Sequence, residues 1–218
     1  IGDSTVAKSD TATGFVDIDG DGDLDAFVGE RNGYLRFFAN TGSSSSPAFL
    51  TSLDNPFGLV DIGAYSRPEF VDIDGDQDMD AFVGEQNGNI KYFENTGSPT
   101  APAFAESRDN PFGLTNVGAS SDPEFVDFDG DGDLDVFVGE RIYGSLKYFV
   151  NTGTSASPAF APPVDNPFDL TPVGSFSSPT FGDVDGDGDL DILVGNGYGD
   201  TKFFENTWSH AAKTSHSV

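Results

Sequence analysis

Asp17-Ile18-Asp19-Gly20-Asp21-Gly22-Asp23-Leu24-Asp25 places five carboxylates in nine residues, and the same phrase returns three times. The copies are Asp72, Asp74, Asp76, Asp78, Asp80; then Asp127, Asp129, Asp131, Asp133, Asp135; then Asp183, Asp185, Asp187, Asp189, Asp191. Their first aspartates are 55, 55 and 56 residues apart. Carboxylates so crowded repel one another unless a cation sits among them, and an oxygen-only donor set suits a hard divalent ion, calcium above magnesium. A repeat of this length reads as one supersecondary unit that buries its apolar face against its neighbours. The phrase therefore predicts both a repeat architecture and a metal.

One repeat supplies the strands. In the second unit, Pro68 to Ile73 enters the acidic loop and Met79 to Gly84 leaves it. Gln86-Asn87-Gly88 is a hairpin turn, and Asn89 to Glu94 forms a third strand. Pro102 to Ala105 reads as a short fourth strand, and Asp109-Asn110-Pro111-Phe112-Gly113 opens the link onward. Four hairpin-joined strands in about 55 residues make one β-propeller blade. The predicted fold is all-β: a β-propeller of four four-stranded blades carrying calcium loops. A parallel β-helix is the rival architecture, disfavoured by the hairpin signals. Recurrent aromatics at 15, 70, 125 and 181, at 27, 82 and 137, and at 38, 93, 149 and 204 are expected to pack between blades.

The units start near residues 14, 69, 124 and 180 and fill 14–208, leaving an N-terminal segment 1–13 and a polar tail 209–218. The fourth unit lacks the Pro-Ala-Phe strand and the Asn-Pro-Phe link. Three completions are open: residues 1–13 supply the closing strand, a neighbouring molecule supplies it by strand addition, or more repeats exist in the full gene product.

Within each loop, positions 1, 3, 5 and 9 are the expected carboxylate ligands. Position 7 (Asp23, Asp78, Asp133, Asp189) is expected to offer its backbone carbonyl. An EF-hand does not fit. Counted from Asp17, position 12 is Val28; counted from Asp19, Leu24 takes the glycine position. Gln77 replaces the position-6 glycine of the second loop, which marks that site as the weakest of the four.

This loop between two strands, followed by Phe-Val-Gly-Glu and Tyr-Phe-Glu-Asn-Thr-Gly, resembles the FG-GAP/VCBS repeats of integrin α-chain propellers and many bacterial surface proteins. The resemblance spans about residues 14–207. It implies a propeller that binds calcium, about four ions here, through positions 1, 3, 5 and 9 and the carbonyl of position 7. Familiar members close with seven or eight blades, and this chain has four.

The formal net charge is −27, and 20 of the acidic residues are the loop aspartates. Four calcium ions would leave −19, still acidic, which argues against nucleic acid or anionic membrane as partner. No apolar run is long enough to span a membrane, so no membrane insertion is expected. Zero cysteines and millimolar calcium outside cells point to an extracellular or cell-surface setting, in a bacterium. The chain opens without a signal peptide, as a processed protein or excised segment would.

The two histidines, His210 and His216, lie in the tail, and the sequence offers no nucleophile–base pair. The expected role is a non-catalytic binding or adhesion module with a glycan or extracellular protein as ligand. Candidate contact aromatics are Tyr65 and its equivalent Phe176, with Tyr143 and Tyr198 in turns. The alternative is a structural subunit of an extracellular filament, sheath or surface layer, self-associating through the incomplete fourth blade. A polysaccharide-lyase-type enzyme is the less favoured third reading.

Overall fold

The computed structural model describes residues 12–207. Blade 1 comprises β1 (Ala12–Val16), β2 (Asp25–Gly29), β3 (Leu35–Phe38) and β4 (Leu53–Asp54). Blade 2 comprises β5 (Arg67–Val71), β6 (Asp80–Gly84), β7 (Ile90–Phe93) and β8 (Arg108–Asp109). Blade 3 comprises β9 (Asp122–Val126), β10 (Asp135–Gly139), β11 (Leu146–Phe149) and β12 (Val164–Asp165). Blade 4 has β13 (Ser178–Gly182), β14 (Asp191–Gly195) and β15 (Thr201–Phe204). Strands follow chain order in every sheet, and the pairs are antiparallel, giving a four-bladed β-propeller. The last blade is three-stranded among the described residues.

Two boundaries differ from the sequence reading. Ala12 and Thr13 belong to β1, and the expectation that 1–13 closes a blade otherwise lies outside the described residues, as does the tail. The fourth strand of blade 2 is Arg108–Asp109, not Pro102 to Ala105. The Pro-Ala-Phe segment instead makes one bridge, Asn95 to Phe104, and Phe104 N–H donates to the carbonyl of Phe57 in the preceding link. Its Pro cannot donate to a ladder; the segment is held by two backbone bonds, Thr96 N–H to the Ala103 carbonyl and Ala105 N–H to the Glu94 carbonyl, by the Asn95 side chain and by Phe104.

Most of the recurrent aromatics pack between blades; Phe15 is an exception, being exposed on the first blade. Phe27 meets Phe70 at 4.4 Å between ring centroids, Phe82 meets Phe125 at 4.4 Å, and Phe137 meets Phe181 at 4.8 Å. Each link adds a ring from an Asn-Pro-Phe turn: Phe57 on Phe37, Phe112 on Tyr92, Phe168 on Tyr148. These turns hold Asn and Phe at positive φ, as at Asn110 (48°) and Phe112 (58°). That conformation costs each non-glycine residue about 1–2 kcal/mol, and burial of the ring offsets it. Phe104 and Phe160 fill the outer end of the first two interfaces. At the third, a cavity of about 250 Å³ lies at that place, lined by Phe128, Phe168, Leu170, Ile192 and Phe204.

The blades touch most closely where β2, β6 and β10 end. A Cβ on Gly29, Gly84 or Gly139 would lie 2.0–2.1 Å from the carbonyl oxygen of Ser66, Ser121 or Ser177. Those serines clamp the hairpin of the preceding blade: Glu30 N–H donates to Ser66 Oγ at 2.8 Å, and Ser66 Oγ–H donates to the Tyr34 carbonyl at 2.8 Å. Gly195 of blade 4 has no such neighbour, the nearest atom to a Cβ lying 4.0 Å away. Gly84→Ala is therefore expected to destabilise the fold by about 1–3 kcal/mol, whereas Gly195→Ala leaves it nearly unchanged. Chemical denaturation of the two variants checks the contrast.

Candidate metal centres and the opposite face

Each acidic loop runs from the innermost strand of a blade to the second. Asp17, Asp19 and Asp21 bring one carboxylate oxygen each within 4.8 Å of one another. Asp72, Asp74 and Asp76, then Asp127, Asp129 and Asp131, then Asp183, Asp185 and Asp187 do the same. The backbone shapes the loop. Asp17 Oδ1 accepts the Asp21 N–H at 3.1 Å, and its Oδ2 accepts the Gly22 N–H at 3.0 Å. In the second loop Asp72 accepts from Gly75, Asp76 and Gln77. Position 6 is left-handed throughout: Gly22 at 91°, Gln77 at 75°, Gly132 at 95° and Gly188 at 95°. Gln77 thus carries the strain inferred from its sequence.

Positions 7 and 9 lie deeper than the triad. Position 7 buries its side chain, and Asp23, Asp78 and Asp133 each have a buried Oδ1 with no hydrogen-bond partner. Burial, then the neighbouring aspartates, raise all three; Asp78 is pushed up to about 6. Position 9 is buried too; one oxygen is held by the backbone, while the Oδ2 of Asp25 is buried without a hydrogen-bond partner. Asp25, Asp80, Asp135 and Asp191 accept the backbone N–H of Asn40, Asn95, Asn151 and Asn206 at 2.7–2.8 Å. Asp80 and Asp135 also accept the hydroxyls of Tyr92 and Tyr148. Burial raises these two to about 7 against the lowering pull of those bonds. So positions 1, 3 and 5 form a triad, and position 9 also ties the loop to the third strand.

The donor set fits a hard cation. It is all oxygen, it concentrates negative charge, and Asp19, Asp23, Asp78, Asp127 and Asp133 each hold a buried carboxylate oxygen that no protein donor satisfies. Buried anionic oxygens are costly without a positive partner. The asparagines were missed as site residues, although Asn-Thr-Gly recurs in the sequence. Asn40 Oδ1 accepts from Gly42 and Ala48, and Asn40 Nδ2 donates to the Leu24 carbonyl, bracing the loop from outside.

The first two loops are also roofed by the following blade. A Cβ on Gly20 would lie 2.9 Å from the Pro99 carbonyl, and one on Gly75 would lie 3.6 Å from Ala156 Cβ. At Gly186 of the fourth loop nothing lies within 4 Å, and its triad is exposed.

The hairpins and links gather at the other end of the strands. There the structure brings two of the four candidate contact aromatics together. The Arg141 guanidinium lies 4.4 Å from the Phe176 ring centroid and 5.0 Å from that of Tyr65, and Arg31 lies 5.5 Å from Tyr65. Tyr65 is buried, so its ring is an internal platform rather than a free contact face. Tyr143 and Tyr198 stand out at hairpin tips, 76% and 77% exposed. The arginines escaped the sequence reading; their signal is that a chain with ten basic residues places two after the hairpin glutamates, at Glu30-Arg31 and Glu140-Arg141. Those glutamates are structural: Glu140 accepts the N–H groups of Ile142 and Tyr143.

On the innermost strands Glu69 and Glu124 form a second unforeseen feature. Burial, then repulsion from Glu124 and Asp122, pushes Glu69 up to about 8. Burial and Asp122 push Glu124 up to about 7. Arg67 pairs with Asp122 at 3.1 Å and leaves the two glutamates unneutralised by it.

The FG-GAP-like repeat family matches residues 17–83, 72–138 and 127–194. No curated protein matches the chain. Among solved structures, a mutant form of the Photorhabdus luminescens Tc holotoxin pore matches with a TM-score of 0.48 and 16% identity, over 88% of this chain and 9% of that chain.

Two outcomes follow. Gln77→Gly is expected to raise stability by about 1 kcal/mol and to tighten metal binding at the second loop, read by calorimetric titration. Glu69→Gln acts through pH. Below the ordinary glutamate range both states of the wild type hold the proton and nothing is lost. As pH rises toward 8 the unfolded chain ionises while folded Glu69 resists, so wild-type stability falls relative to the variant. The advantage of the variant should grow between pH 5 and 8 in paired denaturation curves; a constant difference would contradict the assignment.

Proposed function

The chain belongs to the FG-GAP-like repeat family, and from that premise we propose that it is an extracellular, calcium-rigidified propeller acting as a non-catalytic binding module. The observation that carries this is the division between the two ends of the strands. One end holds the acidic loops with their buried, unsatisfied carboxylates; the other presents Tyr143 and Tyr198 around the Arg141–Phe176 stack. Calcium is the ion the donor set favours, one in each of the four loops, at the millimolar levels found outside cells. Its binding free energy becomes folding free energy, because the unfolded chain does not gather the triads. The exposed rings offer flat apolar faces with a hydroxyl, suited to a glycan or to a protein loop.

A structural role in an extracellular assembly is the second reading, favoured by the three-stranded sheet of blade 4 among the described residues. Lyase chemistry has less support, since Arg31 and Arg141 are stacked on aromatic rings.

Removal of calcium tests the first half. At a hundredfold excess over the dissociation constant each site contributes about 2.7 kcal/mol, so EDTA should lower the melting temperature sharply and calcium should restore it. A glycan array tests the second half, followed by titration with the best glycan. Tyr143→Ala with Tyr198→Ala should weaken binding several-fold and leave calcium binding unchanged. A silent array, together with unaltered attachment of the double variant to cell surfaces, would overturn the binding reading.

A further inference from the structure

Each interface between blades is the same pair of faces. The leading face of blade 1 carries Ile18, Phe27 and Phe37; the trailing face of blade 2 carries Phe70, Met79 and Phe104, and both sets enter one core. Blade 2 repeats the leading face with Ile73, Phe82 and Tyr92, and blade 3 with Phe128, Phe137 and Tyr148. All nine leading-face side chains are no more than 5% exposed.

The two ends of the array break this rule together. On the leading face of blade 4, Val184 stands at the Ile18 position and Phe203 at the Phe37 position, 61% and 49% exposed. On the trailing face of blade 1, Phe15, Leu24 and Phe49 stand at the Phe70, Met79 and Phe104 positions, 62%, 54% and 46% exposed. Phe15, Leu24 and Phe49 line an open pocket of about 310 Å³, where the other trailing faces receive the blade before them. Blade 4 thus offers the half that blade 1 lacks, and blade 1 offers the half that blade 4 lacks.

We propose that these are the two halves of one intermolecular interface: the leading face of blade 4 receives the trailing face of blade 1 of a second copy of this chain. The contact is heterologous, head to tail. Two copies joined at both ends close a ring of eight blades; joined at one end they extend. The fourth acidic loop fits this docking. Its missing roof is the segment that follows Asn-Thr-Gly in the next blade, so residues 42–47 of the second copy would cover it. The proposal is independent of the ligand reading, because it uses neither the hairpin face nor its arginines.

Light scattering after size exclusion, on the chain in calcium over a range of concentrations, reads the mass. A dimer or larger species is expected. Phe15→Glu and Phe203→Lys each alter a side chain that is exposed in the single chain, so both should fold, as far-ultraviolet circular dichroism and calcium binding would report. Each variant alone should run as a monomer, because every junction it can make carries the altered residue. An equimolar mixture should regain the dimer mass, since one junction joins an unaltered Phe203 face to an unaltered Phe15 face. A wild type that stays monomeric throughout overturns the proposal. So do variants that associate as the wild type does, or a mixture that stays monomeric, which would mean that any self-association uses another surface.

Discussion

A single blade of this protein has no core, and every other feature depends on that. Three or four short strands make a sheet with two faces, and the buried rings lie between sheets rather than within one. The 4.4–4.8 Å contacts of Phe27 with Phe70, Phe82 with Phe125 and Phe137 with Phe181 are the same contact made three times. Stability in such an array is a sum of unit and nearest-neighbour terms, so it is won at the interfaces. The glycines at 29, 84 and 139 exist to let those interfaces close, and the serines at 66, 121 and 177 lock each blade to the hairpin before it.

The acidic loops oppose this order until they are neutralised. They crowd five carboxylates where the two innermost strands turn, and position 9 roots the turn in the third strand through Asn40, Asn95, Asn151 and Asn206. A cation in the triad therefore bears on three strands of a blade at once. Because the next blade leans over the first two loops, a cation bound there and blade packing would reinforce one another. The fourth loop has the same ligands and none of that cover.

Much of this was legible in the sequence because the repeat is dense in signals. The Asp register set the period, the hairpin glycines placed the turns, and the recurrent rings announced the interfaces. The left-handed φ of Gln77 followed from the glycines at the same place in the other loops. What was not legible depended on contacts rather than on residue type. Pro102-Ala103-Phe104 has the composition of a strand, yet beyond two backbone bonds it is held by a side chain and a distant carbonyl, and the ladder passes to Arg108–Asp109. Position 7 of the loops reads as a backbone ligand, and its buried carboxylate emerges only in three dimensions. Tyr65 reads as a free aromatic, and Arg31 and Arg141 cover it.

The same reasoning explains why the ends of the array matter more than its exposed loops. An internal blade has both faces covered, so its apolar residues say nothing about partners. The end blades keep the residue types of the internal ones, Phe15 for Phe70 and Phe203 for Tyr92, while losing their cover. A surface selected only for solubility would have no reason to retain rings there, since contiguous apolar patches on a free surface mark interaction sites. Retention of the interface residue types at both ends, in matching positions, is the observation on which the proposed head-to-tail contact rests. A cation held in the acidic loops beside these faces would have a second consequence: by discharging them it would lower the repulsion that keeps two such acidic surfaces apart.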